Sequence, residues 1–457
     1  MRKLMALAIV LVFAGTTRSW ALVGLGDVNF DGSLEVSGNS ANNETDVSAD
    51  NDHRGDTNTR LRLGMNAEVT EGVKGRLEAI RTPRLYGTAP TNLNGEQTSL
   101  VLHNAYLDLN LWDHMFRLGR QYVGNPGDLV WNISPKDDDG FTNNSIDGIL
   151  IQCRKYDFLH LDVFTGKSSD DEVATSTDTD FNDTSGDVNL SSLDLTLPTL
   201  VPGGKINLGY LWGKATNTAS QTDDNKLTTI RVGINGGISE NFFTYRAEYL
   251  MNGGELETGA TEKKYKGTAI DLGVGLNSAE TGVGGFGIWA NYLIGSGDDN
   301  NTDSDDESFH DFSRLGVNTS DRLMGEIFGK SNALGGGTPL GQGLDAFSGG
   351  GLENQGLTVI NIGASYKPTM IEKTSIKLDW FSFQQSEDTL NNAAVLDDIG
   401  SEIDLTLGYA HSDNVNIEAG YAMLSPDDAL TGGGTNPDED ITKLFARLKV
   451  KWGGEAQ

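Results

Sequence analysis

A single cysteine, Cys153, stands in the 457 residues. That excludes an intrachain disulfide framework and any multi-cysteine metal site. Positive charge is scarce too: 34 Lys and Arg face 65 Asp and Glu, for a net charge of -31. A body so negative is repelled by a phosphate polyanion, which argues against nucleic acid as a partner. Long hydrophobic runs are also missing, since no apolar stretch approaches the ~18 residues of a membrane-spanning helix. With 37% hydrophobic and 22% charged residues, the chain is neither a helical membrane protein nor a wholly disordered one. Helical periodicity is lacking after residue 21.

The chain opens with Arg2 and Lys3, an apolar core from Leu4 to Ala14, and Ser19-Trp20-Ala21, with small side chains at the two positions a signal peptidase reads. This is the pattern of a secretory signal peptide over residues 1–21, with an exported mature chain over 22–457.

The mature chain has a period of two. In Asn58 to Val69, the residues Leu61, Leu63, Met65, Ala67 and Val69 share one face, and Arg60, Arg62, Asn66 and Glu68 the other. Segments 205–214, 401–410 and 443–452 repeat the pattern. About eighteen such segments lie between residues 26 and 452, among them 374–386 and 400–411, close to the ~9–11 residues a tilted membrane strand needs. Tight links such as Glu71-Gly72, Trp112-Asp113-His114 and Ser412-Asp413 alternate with long acidic ones such as 39–56, 169–186 and 298–355. A soluble sandwich has no reason to sort its loops by parity. The expected fold is therefore all-β: one transmembrane antiparallel barrel of about eighteen strands, with short periplasmic turns and long extracellular loops, in the bacterial outer membrane. Aromatics such as Tyr210, Trp212, Tyr249, Trp380 and Tyr421 fall near strand ends, where interfacial girdles form.

From His103 to Gly166 an Ala-Tyr-Leu-Asp-Leu strand, a tight turn, Phe-Arg-Leu-Gly-Arg-Gln, a loop and Ile-Asp-Gly follow in order. This stretch of about sixty residues resembles the alginate-export family of outer-membrane barrels. The resemblance implies an eighteen-stranded pore with an arginine-lined constriction for an anionic saccharide, and it carries over to Arg117, Arg120 and Gln121. Strict alternation puts Arg117 inside and Arg120 outside, so Arg120 reaches the pore only through a bulge near Gly119, or else lies above the membrane.

With the apolar face toward outer-membrane lipid, the expected pore lining is Arg60, Arg62, Arg76, Arg117, Arg120, Arg154, Arg447, Lys449, Asp379, Glu402 and Asp404. Basic residues crowd the strands beside the closure seam and acidic ones the fifteenth to seventeenth. Opposed charges of this kind create a transverse field that favours hydrated, charged or sugar solutes, against the alternative that they pair along neighbouring strands. The loop 124–141, with Asp128, Trp131 and Lys136, is expected to fold inward as a constriction. The acidic loop 298–355 is expected to form an outer vestibule that concentrates cations, or to fill the lumen.

No calcium loop completes at Asp27 to Gly38, and the six histidines sit in no nucleophile motif, so neither metal, cofactor nor catalysis is expected. The function expected is a passive channel of porin or exporter type for hydrophilic solutes. The alternative is a loop-plugged barrel with a structural, adhesion or surface-layer role. Replacing Arg60 and Arg117 together with Ala is expected to shift a channel toward cations.

Overall fold

A computed structural model describes residues 28–43, 53–81, 100–124, 128–135, 144–169, 187–216, 224–258, 261–278, 284–300, 303–315, 325–329, 356–391, 394–427 and 439–453. The expected signal peptide and Lys136 lie outside them.

The wall begins with β1 (Val28–Asn42), β2 (His53–Thr70), β3 (Val73–Arg81), β4 (Leu100–Leu111), β5 (His114–Gln121) and β6 (Ile146–Tyr156). It continues with β7 (Leu159–Ser169), β8 (Val188–Val201), β9 (Gly204–Thr216), β10 (Asp224–Ile238), β11 (Phe243–Thr258) and β12 (Thr268–Asn277). The last six are β13 (Gly284–Gly295), β14 (Leu357–Pro368), β15 (Thr374–Asn391), β16 (Ala394–Ser412), β17 (Val415–Pro426) and β18 (Ile441–Trp452). Each pairs antiparallel with the next, and β18 pairs with β1, so the sheet closes on itself and has no edge. The sheet counts twenty strands; Thr261–Tyr265 and Asp305–Asp306 lie off the ring, which leaves eighteen in the wall.

Alternation decides which side each residue meets. Along β12, Ala269 and Asp271 are buried while Ile270, Leu272 and Val274 are exposed. The same outward parity bares Leu107, Leu118, Ile149, Tyr210, Ile230 and Ile362. A belt of this extent is a lipid-facing surface, because water would not tolerate so large an apolar patch. Tight turns at 71–72, 112–113, 157–158, 202–203 and 413–414 mark one rim. Val28 opposite Ala67 and Trp452 opposite Gly32 bring both ends of the described wall to that same rim.

Two features depart from the sequence pattern. First, β15 and β16 run on beyond the membrane, pairing Thr389 with Leu396, Leu390 with Val395 and Asn391 with Ala394 where a long loop was expected. Outside lipid the backbone ladder satisfies itself without an apolar alternation to betray it. Second, the acidic loop sends part of its described length inside the barrel, while Asp299, Asn300, Asp303, Ser304 and Glu307 stay exposed. Phe309, Phe312, Leu315, Ile327 and Phe328 are buried, and they join Trp131 of the loop after β5 in one core with the inward Phe164, Leu190, Leu211, Leu227 and Phe383. Phe312 N–H donates to the Val130 carbonyl at 3.0 Å, so the two loops meet within the lumen. The external course expected for 298–355 is corrected for these residues, which take the inward course given as its alternative: their apolar side chains find a dry partner only inside the wall.

Candidate functional site

The basic side of the lumen is built on β2, β3, β5 and β18, and its arginines, with Lys449, each meet a carboxylate. Arg60 is buried against Glu35, with Nε donating at 2.9 Å, and Lys449 Nζ stands 3.5 Å from the same carboxylate. Arg62 donates to Glu78 at 3.2 Å. Arg76 donates to Glu78 at 2.6 Å and to Asp31 at 2.8 Å. Arg117 makes a two-pronged contact with Asp108, at 2.7 and 2.9 Å, and lies 3.9 Å from the centre of the Tyr106 ring. Tyr122 hydroxyl donates to Glu78 as well. Register explains the match: Glu35 faces Arg60 across β1 and β2, and Asp108 faces Arg117 across β4 and β5. The charges therefore close locally, and the expected field across the lumen is correspondingly weak.

Arg120 is corrected out of the pore. Its cross-strand neighbours are Ala105 and Asp147, in line with the outward Leu118, Leu107 and Ile149, and its guanidinium lies 3.4 Å from Asp147. Gly119 has φ +124°, but pairing continues unshifted on both sides of it, so no bulge turns Arg120 inward. A Cβ on Gly119 would lie 2.3 Å from the Ala105 carbonyl oxygen. Gly119→Ala is expected to cost about 1–3 kcal/mol, from the disfavoured φ together with the close approach. A lowered urea midpoint of the vesicle-reconstituted barrel checks this.

On the opposite side Asp379 accepts from Trp289 Nε1 at 3.0 Å and from Asn361 at 3.2 Å, and pairs with Lys377 at 2.7 Å. Glu402 and Asp404, expected as pore lining, receive backbone N–H groups from Glu326, Ile327 and Phe328 of the long loop. Arg447 donates both terminal nitrogens to Glu326, and Lys443 donates to the Glu326 carbonyl at 2.7 Å. The parity of Arg447 and Lys449 already places Lys443 inward. Glu326 stands in a loop without period, and no sequence signal marks it.

In the loop after β5, Leu129, Val130, Trp131 and Ile133 are buried against the inward face of the wall. Trp131 is buried edge-on to Phe164, with ring centres 5.8 Å apart, and tilted against Phe312 at 5.7 Å. Asp128 is tied to Arg231 of β10, whose other terminal nitrogen holds Asp194 of β8. Deeper in the long loop, burial pushes the Asp306 carboxyl up, but the bonds it accepts from His310 and from the Ser308 N–H outweigh that and hold it below the usual range. Its folded value being depressed, this contact contributes above the ordinary aspartate range and is lost as pH falls through the folded value.

Below these loops a cavity of about 670 Å³ runs toward the short-turn rim along β6–β11. Its lining includes Arg154, Lys205, Arg231 and Arg246 beside Asp128, Asp162, Asp194 and Glu248, with Gln152, Asn207 and Asn235 between. Arg154 donates to Asp162 at 2.7 Å, and Arg246 to Asp271 at 2.8 Å.

No protein-family model and no curated protein sequence matches the chain. Solved structures do. Pseudomonas aeruginosa OccK9 (OpdG) is 13% identical with a TM-score of 0.57, over 94% of this chain and 99% of that one. Pseudomonas aeruginosa OpdO is 12% identical with a TM-score of 0.57, over 93% and 97%. Pseudomonas aeruginosa OccD3 (OpdP) is 12% identical with a TM-score of 0.52, over 94% and 93%. At this identity the likeness is one of fold, and it singles out no alginate-export member. The chain is an eighteen-stranded transmembrane barrel. Its closed wall and apolar belt place it in the bacterial outer membrane.

Proposed function

We propose that the protein is a passive, non-catalytic channel for small hydrophilic solutes, with its path running beside the inward loops along β6–β11. The observation that carries this reading is the cavity of about 670 Å³ between the Asp128–Trp131 segment and the short-turn rim, lined by charged and amide side chains. Such a lining replaces hydration for a polar solute and excludes apolar ones. The expected anionic saccharide loses its main support here. Arg60, Arg62, Arg76 and Arg117 already hold carboxylates, so a polyanion would have to displace Glu35, Glu78, Asp31 or Asp108 to gain from them. Small sugars and dipolar solutes suit the paired lining better.

The test is single-channel recording in a planar bilayer under a salt gradient. A stable conductance with a small reversal potential is expected, because the lumen arginines are matched by carboxylates. A silent folded barrel would sink the channel and leave the plugged, structural or surface-layer role, which the burial of Ile327 and Phe328 inside the lumen favours.

A further inference from the structure

The loop between β13 and β14 enters the lumen on two limbs that are held differently. Its first limb, 303–315, is bonded through the backbone: Lys264 N–H to the Ser304 carbonyl and Lys266 N–H to the Asp306 carbonyl, both at 2.8 Å, and Phe309 N–H to the Ser296 carbonyl at 2.9 Å. Asn252 of β11 clasps His310 at both ends, its carbonyl oxygen accepting from His310 N–H at 2.6 Å and its amide donating to the His310 carbonyl at 3.0 Å. The second limb, the turn from Gly325 to Gly329, belongs to no ladder.

That turn is held by charged side chains of the wall. The Glu402 carboxylate sits in a nest of three successive N–H groups, from Glu326 and Ile327 at 2.7 Å and Phe328 at 3.0 Å, and Asp404 shares the Glu326 N–H at 3.0 Å. Arg447 grips the Glu326 carboxylate at 3.0 and 2.6 Å. Gly325, at φ +76°, lets the chain pass so close that a Cβ would lie 2.6 Å from the Glu402 carboxylate. Phe328 stacks on Phe383 with ring centres 4.2 Å apart.

We propose that this turn is a latch: an autoinhibitory plug of the β15–β18 sector, seated by ionic contacts together with the burial of Ile327 and Phe328, that can leave without disturbing the wall. The proposal rests on the channel reading. Three observations support it. Buried ion pairs are poor glue compared with apolar packing, and their best-attested use is to set a register or a switch. The first limb shows that this loop can be fixed by backbone bonds where permanence is required. Most telling, both cations have a second acceptor on the wall. Arg447 lies directly opposite Glu418 on β17. Lys443 is level with Asp404 across Ala422, two strands away, roughly 10 Å from backbone to backbone at the usual strand spacing. Ala422 is small enough for the two side chains to meet over it. With the turn seated, Lys443 and Arg447 bind Glu326; with the turn gone, they close onto Asp404 and Glu418. Neither arrangement strands a cation, which is what a two-state element requires.

The test uses the full chain with Cys153→Ala, and Ile327→Cys as a reporter of the seated turn. Glu326→Gln lies in the loop and leaves the wall ladder untouched. It is expected to speed reaction of that thiol with a charged, membrane-impermeant reagent by about tenfold, the scale of a lost bond to a charged group, and to raise the open current. Glu326→Arg is expected to react as fast, and combining it with Arg447→Glu to restore slow reaction and low current. Equally slow labelling in every variant, with unchanged current, overturns the latch and leaves the channel reading intact. Fast labelling of Glu326→Gln in a barrel that never conducts keeps the mobile turn, and the failure then falls on the channel reading.

Discussion

Arg60→Ala is expected to destabilise the barrel by about 3–5 kcal/mol, the cost of breaking a buried ion pair from one side, and to leave ion selectivity nearly unchanged. Arg60 and Glu35 are only 1% and 3% exposed, so neither presents its charge to a passing ion. Once the guanidinium is gone, the Glu35 carboxylate keeps Ser33 at 3.0 Å and Lys449 at 3.5 Å, too little to replace a two-pronged arginine. The pair also bridges β1 and β2, one strand from the closure of β1 on β18, where a slipped register would open the wall. Removing Glu35 as well should recover part of the loss, because no uncompensated charge then remains. Urea midpoints of the single and double variants in vesicles check the first claim, and reversal potentials check the second. Arg117 is half-buried against Asp108, with 24% of its side chain exposed, so any shift toward cations in a joint Arg60/Arg117 replacement belongs to Arg117. A strong selectivity change from Arg60→Ala alone, at an unaltered midpoint, would place Arg60 on the ion path and sink this division.

The wall was legible in the sequence because lipid imposes one rule on every strand. Leu61 and Leu63 cannot face inward without turning Arg60 and Arg62 toward lipid, so parity settles all four at once. The same rule placed Arg154, Asp379, Glu402 and Lys449 inward, and it placed Arg120 outside. Only the motif resemblance drew Arg120 into the pore, and the register with Ala105 and Asp147 sides with parity. Pairing was legible only as a possibility, since it needs the shear between strands: Glu35 finds Arg60 because their hairpin aligns them, whereas Glu78 reaches Arg62 on the diagonal and Arg76 two positions back along its own strand. The loops obeyed no such rule. Nothing in the composition of the 298–355 loop distinguishes Glu326 from its other acids. Its place on Arg447 follows from contacts made across a closed barrel, between residues 121 positions apart.

Arg231 is the other position where one substitution should change both the lumen and its loop. Its two terminal nitrogens hold Asp128 of the inward loop and Asp194 of the wall, at the top of the cavity. Arg231→Ala would leave two carboxylates side by side with no cation between them, the Asp128 side chain only 5% exposed. Such a loss costs about 3–5 kcal/mol where the charge stays buried. Here it can be avoided if the Asp128 segment withdraws into water, carrying Val130 and Trp131 off Phe312. The expected result is a clear shift toward cations, a larger open current and strong current noise from the freed loop, measured at low salt, where lumen charges are least screened. Arg231→Lys separates charge from geometry. A single ammonium keeps the positive charge but cannot reproduce a planar fork between two carboxylates. Selectivity should then stay near that of the unaltered protein while the noise rises. If Arg231→Lys instead matches Arg231→Ala in both readings, the fork contributes position alone and the cavity's selectivity is set elsewhere. If both variants record like the unaltered channel, the solute path does not pass along β6–β11.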